Sequence, residues 1–94
     1  MLTLPATIGL TDAHTVMRPL AEALAREPAD PVQVDASGLR QFDSSALAVL
    51  LECRRLAQTS GRAFQLSGAP ARLRQLAGLY GVAELLGMAP PDGA

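Results

Sequence analysis

Apolar and polar residues alternate near the start of the chain, which predicts extended structure. Leu2 and Leu4 flank a threonine, and apolar residues return at residues 8–10, Ile-Gly-Leu. Pro5 separates the two runs, and proline cannot donate a hydrogen bond to a central strand ladder. The segment therefore predicts one or two short strands near the edge of a sheet.

A helical repeat follows. Thr11 or Asp12 can cap this helix, because their side-chain oxygens accept hydrogen bonds from first-turn N–H groups. The apolar face is formed by Val16, Leu20 and Leu24, with Met17 and Ala21 beside them. Pro19 lies inside the repeat and predicts a kink or a later helix start, because it removes a backbone donor. Residues 27–31, Glu-Pro-Ala-Asp-Pro, are expected to end the helix in a loop.

The clearest helical pattern of the sequence lies in the centre of the chain. Residues 31–35 alternate as a short strand, and residues 36–40 form a connecting loop. The stretch QFDSSALAVLLECR, residues 41–54, then opens a helix that runs to about Thr59. Gly61 suits the left-handed conformation in which many helices end.

The last third of the chain repeats this order of strand and helix. Residues 63–67 predict a strand, and Pro70 suits the first turn of a third helix, which Gly81 ends. The apolar face of that helix comprises Leu73, Leu76, Ala77 and Tyr80. Residues 82–86 predict one more helical turn.

The order of these elements predicts the fold class. Alternating strands and helices favour parallel strands joined by right-handed crossovers. We therefore expect an α/β fold in one domain over residues 1–88, with a small, mostly parallel sheet of three to four strands and three main helices. Residues 89–94, Ala-Pro-Pro-Asp-Gly-Ala, are expected to form a disordered tail.

The central helix carries more apolar residues than one core face requires. Its predicted core face, within about 120° of a helical wheel, comprises Ala46, Val49, Leu50, Cys53, Leu56 and Ala57. Leu47 and Leu51 lie off this face, one turn apart. They either pack beneath a neighbouring loop or helix of the same domain, or they form an exposed patch for a protein partner.

Three polar residues, Asp43, Ser44 and Ser45, stand directly before this apolar run. A serine or aspartate oxygen there can cap the helix by accepting from its free N–H groups. The same free N–H groups and their partial positive charge also tolerate an added phosphate, and a phosphoserine adds nearly two negative charges. The residues themselves leave both interpretations open.

The single histidine and the single cysteine have simple structural interpretations. His14 lies at the start of the first helix, where we expect it either in solvent or as a contact beside Asp43 and Ser44, because both helix starts approach the same end of the sheet in such a fold. Cys53 lies on the predicted core face and is expected to be a buried, inert thiol.

Composition excludes several classes of function. The net charge of −1, without a long run of like charge, argues against a protein that binds nucleic acid through its phosphates. One cysteine and one histidine exclude an internal disulfide framework and a cysteine- or histidine-rich metal site. No run reaches the roughly 20 apolar residues that span a bilayer, and no basic region precedes the first apolar residues. We therefore expect a cytoplasmic protein without direct membrane insertion.

Enzyme signatures are absent from the sequence. The histidine and the serines have no evident third group to orient them, and there is no G-x-x-x-x-G-K-[ST] phosphate loop. We expect no catalytic residues, no cofactor and no metal, so that any nucleotide chemistry belongs to a partner.

Two segments resemble a known family. Residues 34–50, VDASGLRQFDSSALAVL, are similar to the signature of STAS domains, the sulfate-transporter and anti-sigma-factor-antagonist fold. In that family a strand and a short loop precede Asp-Ser/Thr-x-Gly/Ala-Leu at the start of a helix, and Asp43 and Ser44 occupy the first two of these positions here. Residues 67–86, SGAPARLRQLAGLYGVAELL, resemble the last strand and helix of the family. The resemblance extends from about residue 2 to residue 86.

This resemblance implies one of two partners. In anti-sigma-factor antagonists a partner kinase phosphorylates the first hydroxyl after the aspartate, which is Ser44 here. In the MlaB-like branch, a short STAS domain binds the ATPase subunit of a phospholipid-transporting ABC complex at the cytoplasmic face of the inner membrane. The chain resembles this second branch more closely. It departs from the antagonists because Ala46 replaces their usual glycine, residues 9–12 replace their Gly-Glu-x-Asp segment, and the family's first strand is shortened or absent.

The resemblance therefore implies a non-enzymatic subunit that reaches the membrane only through its partner complex. The expected partner is an ABC-transporter ATPase, and the alternative is an anti-sigma-factor kinase. The residues expected to bind the partner or to be regulated are Asp43, Ser44, Ser45, Leu47, Leu51 and His14, with Ser44 as the possible phosphorylation site.

Overall fold

A computed structural model describes residues 2–26 and 30–88 of the chain. Its elements are, in order, β1 (Leu2–Thr3), β2 (Thr7–Ile8), α1 (Ala13–Arg26), β3 (Val32–Asp35), β4 (Gln41–Phe42), α2 (Ser45–Thr59), β5 (Phe64–Ser67) and α3 (Ala71–Leu79). The predicted α/β fold with three main helices is confirmed. Most of the predicted loop at residues 27–31 and the predicted tail at residues 89–94 lie outside the described residues.

The main sheet is parallel, with the strand order β1-β3-β5. Leu2 lies opposite Val34, which lies opposite Leu66 on its other side, and this row faces the core. Gln33 and Gln65 point to the other face, where both are exposed and their side-chain amides are 3.4 Å apart. One face of the sheet is therefore apolar and covered, and the opposite face is polar.

A second, two-stranded parallel sheet joins β2 to β4. The prediction that Gln41 and Phe42 begin the central helix is wrong, because these residues pair with β2 and α2 begins only at Ser45. A hydrogen bond also connects β4 to the segment between β1 and β2, because the Gln41 N–H donates to the Ala6 carbonyl oxygen at 2.9 Å. Pro5 thus separates β1 from β2, and each half of this first segment pairs with a different strand.

Pro19 predicted either a kink or a later start of α1, and the later start is wrong, since the helix spans Ala13–Arg26 with the proline inside it. Its first turn is prepared by Gly9, whose carbonyl oxygen accepts from the N–H groups of Asp12 and Ala13 at 2.9 and 3.0 Å. The Asp12 carboxylate turns back and accepts from the Gly9 N–H at 3.1 Å, instead of capping the first helical turn. Helix α1 packs against α2 and β1, on the covered side of the sheet.

The core face of α2 is as predicted. Its members Ala46, Val49, Leu50, Cys53 and Ala57 are buried, and Leu56 packs against them half-buried. Burial raises the pKa of the Cys53 thiol to about 11, so this group stays protonated at neutral pH. The expectation of a buried thiol is confirmed.

The end of α3 differs from its prediction. Leu73 and Ala77 are buried and Leu76 is half-buried, but Tyr80 follows the last helical residue and is 59% exposed. The chain then makes the hydrogen bond of a single helical turn, from the Leu86 N–H to the Val82 carbonyl oxygen at 3.1 Å. Tyr80 therefore stands at the surface, beside the N-terminal half of α2.

Candidate functional site

Asp43 fixes the start of α2. Its Oδ1 accepts from the Ser45 N–H at 2.8 Å, which satisfies one free donor of the first turn. Its Oδ2 accepts from the Leu10 N–H at 3.1 Å, so the same side chain ties the loop after β2 to the helix. The hydrogen bond from Ser45 is the main cause of a lowered pKa of the Asp43 carboxyl. The predicted cap is confirmed, and the aspartate supplies it.

Ser44 has no part in this cap. Its backbone is already helical, with φ −62° and ψ −15°, and its hydroxyl makes no capping hydrogen bond. The side chain is exposed and has no hydrogen-bond partner among the described residues, whereas Ser45 next to it is half-buried. Ser44 therefore presents an unused hydroxyl at the N-terminal end of a helix.

The hypothesis that Leu47 and Leu51 form an exposed patch is wrong for Leu47. This residue is only 4% exposed, and Leu51 is half-buried against the same core. The interpretation that they pack beneath a neighbouring segment is the correct one, because Tyr80 and Val82 lie across them. The prediction that both leucines lie off the core face is therefore wrong for Leu47, which belongs to the hydrophobic core, whereas Leu51 packs half-buried against that core.

This covering leaves a groove of ≈330 Å³ beside Ser44. Its lining comprises Ser44, Leu47, Ala48, Leu51, Tyr80 and Val82. We call it the α2 groove. The groove joins the unused hydroxyl of Ser44 to an apolar floor, so the two features form one continuous surface.

Two exposed apolar side chains border this surface. Leu10, whose N–H binds Asp43, is 80% exposed, and Tyr80 is 59% exposed. Neither was among the predicted site residues, since Leu10 was assigned to a strand and Tyr80 to the core face of α3. The only signal in the sequence was the position of Tyr80 directly before Gly81, where the helix was expected to end.

The start of α1 lies at the same end of the molecule. A Cβ atom placed on Gly9 would be 3.4 Å from Oδ2 of Asp12 and 3.7 Å from Oδ2 of Asp43, so both carboxylates approach this glycine. His14 is exposed in the first turn of α1, two residues after Asp12, and has no hydrogen bond or ion pair with the described residues. The structure thus gathers Asp43, Ser44 and Ser45 at one point and places His14 on a neighbouring turn.

The part of the chain that the structure describes has neither a candidate metal site nor a membrane-spanning helix. Within residues 2–26 and 30–88 there is no group of three or more histidine, cysteine, aspartate or glutamate side chains that could hold a metal ion. The helices of the same residues include none that is long and apolar enough to cross a bilayer. Asp35, a further polar residue at the end of a strand, forms a turn in which its Oδ1 accepts from the Ser37 N–H at 2.9 Å.

A family model matches this chain. Residues 1–87 match the family model described as "Mlab, STAS domain", which covers nearly the whole chain. The comparison with curated proteins found no match.

Proposed function

The chain belongs to the family of MlaB-type STAS domains, and from this premise we propose that it binds and regulates the ATPase of an Mla-type phospholipid-transporting ABC complex. A STAS domain supports a non-enzymatic role carried out through protein–protein interaction. The proposed subunit therefore performs no chemistry itself and changes the activity of the ATPase by binding it. The phospholipid is handled by other subunits of the complex, in a pathway that maintains the lipid asymmetry of the outer membrane.

The observation that carries this proposal is the exposed, unpartnered Ser44 beside the capped start of α2. Asp43 accepts from the N–H groups of Ser45 and Leu10 with its two carboxylate oxygens, so the backbone on both sides of Ser44 is hydrogen-bonded before any partner arrives. A preorganised surface loses little conformational entropy on binding, which favours affinity. We assign the contact with the ATPase to Asp43, Ser44 and Ser45, with Leu47 and Leu51 beneath them and His14 at the margin.

This proposal places the protein in the cytoplasm, peripheral to the inner membrane. The described helices include none that could cross a bilayer, so the proposed membrane association depends on the partner complex. Loss of ATPase binding should therefore release the chain from the membrane fraction.

The test is co-purification of the chain with an Mla-type ATPase subunit from the same organism. Ser44→Arg places a long, charged side chain at the centre of the proposed contact and should remove most of the captured ATPase. The ATP hydrolysis rate of the ATPase, measured with and without the chain, should change with wild-type protein and not with Ser44→Arg.

Gln58→Arg is the matched control, because Gln58 is also exposed but lies at the opposite end of α2. It should capture as much ATPase as the wild-type chain. Equal capture by the wild-type, Ser44→Arg and Gln58→Arg chains would reject this surface as the contact.

A second function, a phosphorylation-controlled antagonist of an anti-sigma-factor kinase, is favoured by one observation. The Ser44 hydroxyl is exposed and not used in capping, so a kinase can reach it without opening the helix. Intact-mass measurement of the protein purified from native cells tests this alternative. An added phosphate at Ser44 in any growth state would support it, and its absence in all of them would count against it.

A further inference from the structure

A groove of ≈530 Å³ lies between helix α1 and strand β1. Leu2 and Leu20 are buried members of the core and form its floor, while its other residues are exposed or half-buried. The lining comprises Leu2, Thr3, Pro5, Thr15, Val16, Pro19, Leu20 and Ala23. We call it the α1 groove. No residue of α2 lines it, so it is separate from the surface assigned to the ATPase.

Strand β1 forms an open edge of the main sheet beside this groove. Among the described strands it pairs only with β3, since the strand order is β1-β3-β5. The Leu4 N–H donates towards β3, to the Asp35 carbonyl oxygen at 3.0 Å. Because the backbone groups of successive residues in a strand point to opposite sides, the N–H and carbonyl of Thr3 point away from β3. Such an edge can pair with a strand of another chain.

Helix α1 carries two opposite charges next to the same groove. Arg18 and Glu22 stand directly before Pro19 and Ala23, which line the groove. The Arg18 Nε lies 3.9 Å from the Glu22 Oε1, and the two side chains are 88% and 58% exposed, so both can also contact another molecule. Leu20 on the groove floor is midway between them in sequence. Two α1 helices that run antiparallel and meet at Leu20 therefore bring Arg18 of each copy to Glu22 of the other.

We propose that the α1 groove is the interface of a two-fold symmetric dimer of this chain. The β1 strands pair antiparallel at Thr3, where each copy donates its N–H to the Thr3 carbonyl oxygen of the other. The α1 helices pack antiparallel at Leu20. One symmetry axis serves both contacts, because Thr3 and Leu20 line the same groove. The two three-stranded sheets thus join into one continuous sheet, with the pair of α1 helices over the seam.

The borders of the groove favour a second copy over other occupants. A two-fold interface requires a surface that is complementary to itself. The Thr3 backbone supplies one donor and one acceptor, and Arg18 and Glu22 supply one charge of each sign. A lipid acyl chain would fill the apolar floor but would leave these polar groups without partners.

The experiment is sedimentation equilibrium of the full chain over a series of concentrations, with a monomer–dimer equilibrium expected for the wild type. Arg18→Glu brings two carboxylates together at each of the two symmetric contacts, and Glu22→Arg brings two guanidinium groups together. Each substitution should raise the dimer Kd by at least about tenfold. Both positions are exposed, and circular dichroism should show the same helix content as in the wild type.

An equimolar mixture of these two variants tests the antiparallel arrangement of α1. In a mixed dimer every contact between Arg18 and Glu22 positions again joins opposite charges, so association should return to near the wild-type Kd. The ion pair within α1 cannot explain such a recovery, because neither variant chain regains its own pair. A mixture that associates no better than the separate variants would overturn this arrangement.

Thr3→Pro tests the pairing of the two β1 strands. Proline is tolerated on an edge strand where the lost N–H points away from the sheet, so the pairing of β1 with β3 should persist. We expect the dimer Kd to rise by at least about tenfold, since two hydrogen bonds are lost by symmetry. Thr3→Ser keeps the N–H and should associate like wild type. Equal Kd values for Thr3→Pro and wild type would overturn the strand pairing.

The remaining outcomes separate this inference from the proposed function. A wild-type chain that stays monomeric at every concentration reached overturns the dimer, and so does a monomer that carries lipid in native mass spectrometry. Arg18→Glu should capture the ATPase like wild type, and Ser44→Arg should dimerise like wild type, because the two surfaces share no residue. If the wild-type chain dimerises but captures no ATPase, the proposed function fails and the dimer stands.

Discussion

A serine lies at each end of α2, Ser44 before its first residue and Ser60 after its last, but the two hydroxyls have different hydrogen-bond partners. At the C-terminal end, the Ser60 hydroxyl donates to the Ala57 carbonyl oxygen at 2.9 Å and accepts from Nε of Arg62 at 3.0 Å. Arg62 in turn donates to the Leu24 carbonyl oxygen at the end of α1, at 2.9 Å. At the N-terminal end, Ser44 has no such partners among the described residues.

This difference shows how the same residue type can be structural at one end of a helix and available at the other. At the C-terminal end, the Ser60 hydroxyl already has hydrogen-bond partners within the chain. At the N-terminal end, Asp43 supplies the cap, so the Ser44 hydroxyl is not needed for it. A candidate contact is thus recognised by a polar group that the fold does not need.

The largest expected effect is a loss of stability when a buried side chain near the N-terminal end of α2 is removed. Leu47→Ala removes a buried side chain and leaves a cavity, which should lower the free energy of unfolding by about 3 kcal/mol. Leu56→Ala, in the half-buried position near the C-terminal end, should cost roughly half of that. Urea unfolding of both variants measures the difference, and equal losses would contradict the described burial.

Removal of the cap should have the next largest effect. Asp43→Ala leaves the Ser45 and Leu10 N–H groups without their acceptor, and the melting temperature should fall by a few degrees at pH 7. Asp43→Asn should retain most of the stability. Circular dichroism melts of the two variants measure this effect.

The cap also makes a prediction about pH. Because the folded-state pKa of Asp43 is lowered, its stabilisation is complete above the unfolded pKa of about 3.9 and is lost as pH falls through the lower folded pKa. The difference in melting temperature between wild type and Asp43→Ala should therefore be largest near neutral pH and should shrink below about pH 3.9. A difference that grows on acidification would show that the carboxylate is not the stabilising form.

At the C-terminal end of α2, the backbone conformation of Gly61 determines how a substitution changes stability. Gly61 has φ +75°, so Gly61→Ala forces an L-residue into a left-handed conformation and should cost about 1 kcal/mol. Gly78 lies inside α3, where an added Cβ meets nothing within 4 Å, and Gly78→Ala should stabilise the protein by roughly 0.5–1 kcal/mol. Urea unfolding should give opposite signs for these two glycine substitutions.

The smallest effect tests the comparison most directly. Ser60→Ala loses hydrogen bonds to the end of α2 and should cost roughly 0.5 kcal/mol, whereas Ser44→Ala should change the free energy of unfolding by less than about 0.5 kcal/mol in either direction. The order should reverse in ATPase capture, which Ser60→Ala should leave unchanged and Ser44→Ala should weaken. A larger loss of stability for Ser44→Ala than for Ser60→Ala would mean that the free hydroxyl has a structural partner.

Local patterns in the sequence were sufficient to predict most of the fold. The apolar stripe of α2, the strands β3 and β5, and the left-handed Gly61 are each determined by neighbours in the chain or by a single residue's conformational freedom. The placement of Gln41 and Phe42 in a helix failed because their strand pairs with β2, far away in sequence. A two-residue strand carries no periodic signal of its own.

The candidate site was predictable in its polar half and not in its apolar half. Asp43 and Ser44 were marked by residue type at a helix start, although only the structure shows which of them caps. The burial of Leu47 and the exposure of Tyr80 depend on how the chain turns after α3, and a helical wheel describes one helix without its neighbours. For the same reason Leu10 was missed as a neighbour of Asp43.

The burial of Cys53 has a practical consequence for following the partner in solution. It is the only cysteine in the chain, it is inaccessible, and its thiol stays protonated at neutral pH, so a maleimide reagent should leave the native protein unlabelled. A cysteine introduced by Ala48→Cys would then be the single reactive thiol, located in the α2 groove. An environment-sensitive fluorophore attached there should change its emission if the proposed ATPase contact covers the groove, so binding could be followed in solution without a label on the partner.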